Sequence, residues 1–228
     1  MTKIVSVFNQ KGGAGKTQTS MQLGATFALR GYSVLIVDMD RQGTDVRWFG
    51  HSPNSSEFPI KVVSYAAFGD DLVKHLRDIA PHFDLVFIDC PPAIESTVPW
   101  ASLLVSHLGL IPIMPAMDNH WASHDAKQLG LKAQKKNKHL NLACFVNNFE
   151  KKRGVDVTVA NVIKNDPTIP VLKTVLSRRA AYPESQTFGA LIASSPKMYK
   201  AAFEELSLLA DEVSAIIQLD APTERNAA

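Results

Sequence analysis

Short runs of apolar residues alternate with longer amphipathic stretches along the 228-residue chain. Each run is nearly continuous, which is typical of strands in a parallel sheet that is covered on both faces. The pattern predicts strands at residues 4–8, 34–37, 60–63, 85–88, 109–114, 142–146 and 171–176. It predicts helices between and after them, at residues 16–30, 70–80, 97–107, 120–138, 155–165 and 196–219. Residues 42–58 are polar, and the pattern predicts irregular structure there.

Alternating strands and helices indicate a single three-layer α/β domain, with a mostly parallel central sheet and helices on both faces. We expect this domain to span residues 1–219 and residues 220–228 to form a flexible tail. Ligands of such folds bind beyond the carboxyl ends of the strands. Residues that directly follow strands are therefore the first candidates for a functional site.

The composition excludes several classes of protein. The chain is 46% hydrophobic and 20% charged, as in an ordinary globular domain. No apolar run approaches the roughly 20 residues of a membrane span, and the first residues do not resemble a secretory leader, so we expect a cytoplasmic protein. Cys90 and Cys144 form no CxxC pair, which argues against a disulfide framework and against a thiolate zinc site.

Positive charge is concentrated in one stretch, although the formal net charge is only +2. The basic residues of this stretch are Lys127, Lys132, Lys135, Lys136, Lys138, Lys151, Lys152 and Arg153. One interpretation is a face that binds a polyanion, and the other is an ordinary solvated surface.

A glycine-rich segment joins the first predicted strand to the first predicted helix. Residues 9–17 have the sequence Asn-Gln-Lys-Gly-Gly-Ala-Gly-Lys-Thr. The backbone N–H groups of such a loop can surround a phosphate at the start of a helix. Lys16 can then reach the β- and γ-phosphates, and the Thr17 hydroxyl can bind Mg²⁺. The phosphate-binding candidates are Gly12, Gly13, Ala14, Gly15, Lys16 and Thr17.

The loop departs from the strict GxxxxGK[ST] pattern, because Gln10 stands where that pattern has its first glycine. It also contains an additional lysine, Lys11, near its start. Lys11 is badly placed for the nucleotide of its own loop, but it could reach a nucleotide held by a facing subunit. A solvated surface lysine is the alternative interpretation.

With this deviant Walker A box, the chain resembles the ParA/MinD group of P-loop ATPases, and within it the small ParA type that lacks an N-terminal helix-turn-helix. Three other segments carry the resemblance: Val-Asp-Met-Asp-Arg-Gln-Gly at 37–43, Phe-Ile-Asp-Cys-Pro-Pro at 87–92, and Thr-Val-Leu-Ser-Arg at 174–178 followed by Phe188 and Gly189. The resemblance covers nearly the whole chain. It implies an ATP- and Mg²⁺-dependent hydrolase with slow basal turnover, whose ATP-bound form is a homodimer with both nucleotides in the interface.

The resemblance assigns roles to the charged residues at the strand ends. Lys11 would cross to the γ-phosphate of the partner, and Lys16 and Asp40 would act in catalysis, with Asp40 orienting the attacking water. Thr17, Asp38 and Asp89 would hold Mg²⁺, with Asp38 otherwise part of the Lys11 network. For each aspartate considered alone, the alternative interpretation is a structural role as a helix cap or a turn residue.

The chain departs from the family pattern at two positions. Arg41 replaces the usual proline, and Gln18 replaces a second threonine that often contacts the α-phosphate. The Gln18 amide could still donate a hydrogen bond to the nucleotide. Asn147, after a predicted strand, is the candidate for contact with adenine, and an asparagine-rich turn is its alternative.

The family also implies nonspecific binding of the ATP dimer to DNA. The candidates are Arg178, Arg179, Lys197 and Lys200, with Lys132, Lys135, Lys136 and Lys138 as a second cluster. No base-reading motif is present in the sequence, so phosphate contacts would dominate. For any single lysine, a solvated surface is the alternative.

The function that the resemblance implies is that of a nucleoid-associated ATPase. A ParB-like or other adaptor protein would stimulate hydrolysis, and the cycle would segregate or position a plasmid, a chromosome or a protein assembly. A MinD-like membrane-associated ATPase or a flagellar-number regulator is one alternative, but the acidic face of the last helix, with Glu204, Glu205, Asp211 and Glu212, argues against a membrane partner. The other alternative is an iron–sulfur or metabolic P-loop enzyme. An iron–sulfur enzyme of this group needs paired cysteines that bridge two subunits, and Cys90, directly after Asp89, does not match that arrangement.

Overall fold

A computed structural model of the chain describes residues 1–52, 59–92 and 97–222. Its strands form one seven-stranded sheet in the order β3-β2-β4-β1-β5-β6-β7, and every neighbouring pair is parallel. The strands are β1 (Lys3–Val7), β2 (Val34–Asp38), β3 (Lys61–Ser64), β4 (Leu85–Asp89), β5 (Leu108–Ile113), β6 (Asn141–Phe149) and β7 (Val171–Ser177). The single α/β fold with a parallel sheet is confirmed, and each strand begins within one residue of its predicted start.

Among the described residues, one α-helix lies between each pair of successive strands, and two more follow β7. They are α1 (Lys16–Leu29), α2 (Thr44–Gly50), α3 (Leu72–Ile79), α4 (Val98–Val105), α5 (Met117–Lys136), α6 (Gly154–Lys164), α7 (Ala181–Thr187) and α8 (Lys200–Ile217), with 3₁₀ turns at Gly69–Asp71, Ala80–His82 and Ile192–Ser194. Within the described part of the chain, none of the helices combines the length and the apolar character needed to cross a bilayer.

The sheet separates two apolar layers, which explains the continuous apolar strands. Along β2, Val34 and Ile36 pack in the layer that contains residues of α1 and α8. Leu35 and Val37 pack in the other layer, with residues of α3 and α6. All five residues of β2 are buried, so neither face of this strand is exposed to water and its sequence does not alternate between apolar and polar residues.

One prediction of local structure is wrong, and one short helix was not predicted. Residues 44–50 form α2 instead of irregular chain, because Trp48 is buried and its Nε1 donates a hydrogen bond to the carbonyl of Ala190 at 2.9 Å. Residues 181–187 form α7, which buries Tyr182 and Ser185. Such short helices depend on tertiary packing more than on their own sequence. The predicted irregular segment at 53–58 and the tail residues 223–228 lie outside the described residues.

The last helix is bound to the sheet on both its apolar and its acidic side. Leu206, Leu209 and Val213 are buried against the core. Glu212 accepts hydrogen bonds at 2.8 Å from the backbone N–H groups of Lys173 and Thr174, on the edge strand β7. Acidic side chains of α8 therefore satisfy donors of a strand that has a neighbour on one side only.

Candidate functional site

The strand order places three chain segments side by side at the carboxyl edge of the sheet. Val7, which precedes the glycine-rich loop, lies opposite Asp89 in the β1–β4 pair. Asp89 in turn lies opposite Asp38 in the β2–β4 pair. The loop and two of the predicted carboxylates thus meet at one point, as parallel strands in this order require.

The loop between β1 and α1 adopts a conformation that its glycines make accessible. Gly13 and Gly15 have positive φ angles of 74° and 90°, in the left-handed region that other residues rarely adopt. Gly15 is the N-cap of α1, and a Cβ at this position would collide with the side-chain amide of Asn147. Gly12 and Ala14 complete the turn, with Gly12 exposed and Ala14 buried.

Lys16 lies inside the loop with 7% of its surface exposed. Its ammonium donates a hydrogen bond to the carbonyl of Lys11 at 3.2 Å. Burial lowers the pKa of Lys16, and the negative charges of Asp89 and Asp40 oppose that effect. The loop therefore contains an enclosed cation, which is the arrangement that suits a phosphate chain.

Thr17 and Asp89 are in direct contact. The Thr17 hydroxyl donates to the Asp89 carboxylate at 2.6 Å, and the Ser20 hydroxyl donates to its other oxygen at 3.2 Å. Burial raises the pKa of Asp89 to about 7, against the lowering effects of the Thr17 hydrogen bond and of nearby Lys16. Ser20 was not predicted from the sequence, although it lies one helical turn after Lys16, on the same face of α1.

The site contains a third buried carboxylate that sequence reasoning missed. Oxygen atoms of Asp38, Asp45 and Asp89 all lie within 4.8 Å of one another. Asp38 accepts a hydrogen bond from the Asp40 backbone N–H at 2.9 Å through Oδ1. Among the described residues, Asp38 Oδ2 and both carboxylate oxygens of Asp45 have no hydrogen-bond partner. Asp45 belongs to the segment predicted as irregular, where the sequence gives no sign of burial.

Burial perturbs both of these carboxylates. It raises the pKa of Asp38, although backbone N–H groups at Asp40, Val46 and Asp45 partly oppose the effect. Burial and the charges of Asp89 and Asp38 raise the pKa of Asp45 well above its usual value. Several ionised carboxylates repel one another in a buried site, so this group of carboxylates needs a bound proton or a bound cation.

Lys11 and Asp40 lie at the open side of the site. Asp40 is partly exposed, and its Oδ1 accepts a hydrogen bond from the Gln42 backbone N–H at 2.9 Å. Lys11 forms an ion pair with Asp118, in the first turn of α5. The structure therefore pairs Lys11 with Asp118, a residue that the sequence did not single out, and not with Asp38.

A cavity of about 670 Å³ adjoins the loop. Its wall includes Gln18, Asn147, Arg178, Arg179 and Tyr182. Asn147 donates a hydrogen bond from Nδ2 to the carbonyl of Ala14 at 3.0 Å, whereas its buried Oδ1 has no partner in the described part of the chain. The asparagine thus contacts the glycine-rich loop and offers an unused acceptor.

The basic candidates for DNA contact are found in different surroundings. Arg179 donates two hydrogen bonds to Glu205, at 2.7 and 3.2 Å, and Arg178 forms a 3.4 Å ion pair with Glu150. Lys197 is exposed, and the exposed Lys200 lies 3.9 Å from Glu204. The structure thus places both arginines in the cavity wall, with carboxylate partners.

The second basic cluster is only partly a surface. Lys132, Lys135, Lys136 and Lys138 are exposed. Lys127 is instead buried and forms an ion pair with Asp166 at 2.6 Å, so it does not belong to a positive face. The sequence gives no sign that Lys127 is buried, because it lies in a stretch where the other lysines are exposed.

Comparison with known proteins identifies relatives over almost the full chain. The family model described as the CobQ/CobB/MinD/ParA nucleotide binding domain matches residues 5–192. Maintenance of carboxysome distribution protein A of Halothiobacillus neapolitanus is 28% identical over 211 residues, which cover 92% of this chain and 95% of that protein. Sporulation initiation inhibitor protein Soj of Bacillus subtilis is 26% identical over 230 residues, covering 83% of this chain and 89% of Soj.

Solved structures share the fold. Cobyrinic acid a,c-diamide synthase from Mycobacterium smegmatis, with bound ATP analogue and magnesium, superposes with a TM-score of 0.77 at 20% identity. The superposition covers 98% of this chain and 99% of that one. At this level of identity the similarity concerns the fold alone.

Proposed function

The chain belongs to the CobQ/CobB/MinD/ParA nucleotide-binding family, and from this premise we propose that it is a ParA-type ATPase that positions a cargo on DNA. The contact of Thr17 with Asp89, beside Lys16 in a glycine loop, is the observation that supports this function best. It brings together a cation for phosphate and the hydroxyl and carboxylate pair that Mg²⁺ sites of P-loop enzymes use.

ATP and Mg²⁺ fit the residues present. The loop from Gly12 to Thr17 would surround the phosphates, with Lys16 at the β- and γ-phosphates. Thr17, Asp38 and Asp89 would hold Mg²⁺, and the unpartnered Oδ2 of Asp38 suits that role. Bound Mg²⁺ supplies charge neutralisation for phosphoryl transfer, and Asp40 would orient the attacking water.

The base would occupy the cavity beside the loop. Its position next to Gln18 and Asn147 supports this assignment. The free Oδ1 of Asn147 can accept a hydrogen bond from the amino group of adenine. Gln18 would contribute its amide where the family usually has threonine.

Hydrolysis would take place in a homodimer. Lys11 is partly exposed at the open side of the site and would reach the γ-phosphate held by the partner subunit. A positively charged residue supplied to the transition state in this way raises the rate of hydrolysis by a factor of about 10³–10⁵. An adaptor protein, ParB-like or of another kind, would stimulate this step and so end the DNA-bound state.

The cargo would be a plasmid, a chromosome region or a protein assembly, and the dimer would associate with the nucleoid. The relative named for carboxysome distribution supports a protein assembly as one such cargo. Lys197 and Lys200 are the more accessible candidates for DNA contact, and Arg178 and Arg179 would have to exchange their carboxylate partners for phosphate. We assign the activity to residues 1–219.

The alternatives have less support. A membrane role would need α8 to leave the sheet, to which its Glu212 and Leu206 are bound. An iron–sulfur role would need accessible thiolates, but Cys90 and Cys144 are buried, and burial raises the pKa of their thiols to about 12 and about 11.

Binding to a random DNA duplex tests the proposal, with ADP, with ATP and with a nonhydrolysable analogue. We expect binding with ATP and the analogue only, with a salt slope of roughly −3 to −4 for about four neutralised phosphates. Equal weak binding in all three states would contradict the proposal, and ATP-dependent pelleting with liposomes would favour the membrane alternative. In stimulated hydrolysis, Lys11→Ala should be inactive, and Lys74→Ala, an exposed lysine on α3, should match the wild type.

A further inference from the structure

We propose that Asp38, Asp45 and Asp89 form a divalent-cation site that the chain fills without a nucleotide. The site shares Asp38 and Asp89 with the Mg²⁺ site of the proposed ATPase function and deepens that proposal. It goes beyond that function by adding Asp45 as a ligand and by placing a cation in the protein before ATP arrives.

The spacing of the three carboxylates fits one ion. One oxygen from each lies within 4.8 Å of the other two. Two oxygen ligands on opposite sides of Mg²⁺ are about 4.2 Å apart, and on opposite sides of Ca²⁺ about 4.6–5.2 Å apart. At most one of the three pairs can lie on opposite sides of an ion, so oxygens up to 4.8 Å apart reach a single centre after a small inward movement of the side chains.

The unsatisfied oxygens of these carboxylates also point to a cation. Both oxygens of Asp45 and Oδ2 of Asp38 are buried and have no hydrogen-bond partner among residues 1–52, 59–92 and 97–222. An ionised carboxylate in such a place is strongly unfavourable unless a counter-charge reaches it. Asp45 also lies within hydrogen-bond reach of Asp89, so these two carboxylates need a shared proton or a cation between them.

The neighbouring charges leave room for a divalent ion. Lys16 is a cation whose charge acts on Asp89, and its ammonium donates a hydrogen bond to the carbonyl of Lys11 in the loop. Asp40 adds further negative charge at the open side. One ammonium against three buried carboxylates leaves an excess of negative charge, which a divalent cation would offset.

The position of Asp45 is fixed by the fold. It lies in the first turn of α2, and Trp48 holds that helix through its 2.9 Å hydrogen bond to Ala190. The Asp45 side chain is fully buried in this packing, so its carboxylate does not reach water. Carboxylate oxygens alone favour hard cations such as Mg²⁺, Mn²⁺ or Ca²⁺.

Mn²⁺ binding to the full chain, stripped of metal and nucleotide, tests the proposal by electron paramagnetic resonance at pH 8. We expect one Mn²⁺ per chain, displaced by Mg²⁺ or Ca²⁺. Asp45→Asn should weaken binding by about tenfold or more, in the range typical for loss of a metal-site group. Asp78→Asn, which removes an exposed carboxylate on α3, should bind like the wild type.

Thermal unfolding without nucleotide gives a second measurement. Mg²⁺ should raise the midpoint of the wild type more than that of Asp45→Asn, and in chelator Asp45→Asn should be at least as stable as the wild type. Asp45→Ala replaces Asp45→Asn if the amide variant does not fold. No Mn²⁺ binding at millimolar concentration, binding only with ATP, or equal affinity in the variant would each overturn the proposal. None of these results would contradict ATP hydrolysis.

Discussion

Lys11 forms an ion pair with Asp118, which lies 107 positions later in the chain, in the first turn of α5. The pair links the glycine-rich loop to the helix that follows β5. The Lys11 side chain is 32% exposed and that of Asp118 is 65% exposed. In the proposed mechanism Lys11 must leave Asp118 before it reaches the nucleotide of a partner subunit, so the pair opposes formation of the ATP dimer.

Asp118→Asn should therefore strengthen ATP-dependent dimerisation. An exposed ion pair contributes about 0.2–1 kcal/mol, which corresponds to a factor of about 1.4 to 5 for each Lys11 released. Sedimentation with a nonhydrolysable ATP analogue measures the dimerisation constant. Asp125→Asn, an exposed carboxylate on the same helix, serves as the control. A weaker dimer in Asp118→Asn would mean that Asp118 supports the interface instead.

Two glycines of the loop should respond differently to an added methyl group. Gly15 has a φ angle of 90° and no space for a Cβ beside Asn147, whereas Gly12 has ordinary backbone geometry and no atom within 4 Å of a Cβ. The left-handed conformation alone costs about 1–2 kcal/mol for an alanine. We expect Gly15→Ala to lose at least that much unfolding free energy and to lose nucleotide binding.

Gly12→Ala is the matched control for stability. Its unfolding free energy, measured by urea denaturation without nucleotide, should stay within about 0.5 kcal/mol of the wild type. Equal destabilisation by both substitutions would show that the loop conformation does not depend on Gly15 in the way described.

Asn147 should contribute to the choice of base. Its Nδ2 donates one hydrogen to the Ala14 carbonyl and its Oδ1 is an unused acceptor, and adenine presents a donor where guanine presents an acceptor. Asn147→Ala should reduce the preference for ATP over GTP by about 2- to 13-fold, the equivalent of one hydrogen bond of about 0.5–1.5 kcal/mol. Competition against a fluorescent nucleotide measures both affinities.

The control for Asn147 lies at the other end of the same strand. Asn141→Ala removes an exposed asparagine at the start of β6 and should leave both affinities unchanged. An unchanged ratio in Asn147→Ala would restrict Asn147 to supporting the loop.

The sequence predicted the parts of the fold that have a strong local pattern. Strands such as β2 are buried at every position, and their apolar runs are visible without any tertiary information. The helices α2 and α7 were missed because each has seven residues and depends on distant partners. The α7 residue Ser185, for example, accepts a hydrogen bond at 2.9 Å from Gln22, 163 positions earlier.

The candidate site shows the same division. Lys16, Thr17 and Asp89 come together because a loop motif and a strand end determine where they lie. Asp45 and Asp118 could not be predicted, because Asp45 meets Asp38 and Asp89, and Asp118 meets Lys11, only in the folded chain. Chain position alone does not indicate such contacts.

The buried ion pair between Lys127 and Asp166 should make stability depend on pH. The Lys127 side chain is 1% exposed and that of Asp166 18%, at a distance of 2.6 Å. Burial alone would raise the pKa of Asp166, but hydrogen bonds from Lys127 and Thr168 outweigh it and hold the pKa well below its usual value. A carboxyl with a depressed pKa stabilises the fold fully above about pH 4, and this contribution is lost as the pH falls further.

Asp166→Asn should therefore destabilise the protein at pH 7 and reduce the acid-dependent loss of stability. Removing one partner of a buried pair costs about 3–5 kcal/mol, because Lys127 then keeps an uncompensated charge. Urea unfolding at pH 7 and pH 3 measures both effects. Asp211→Asn breaks the exposed pair with Arg30 and should cost at most about 1 kcal/mol. Similar losses in the two variants, or an unchanged acid dependence in Asp166→Asn, would show that burial does not strengthen the Lys127 pair.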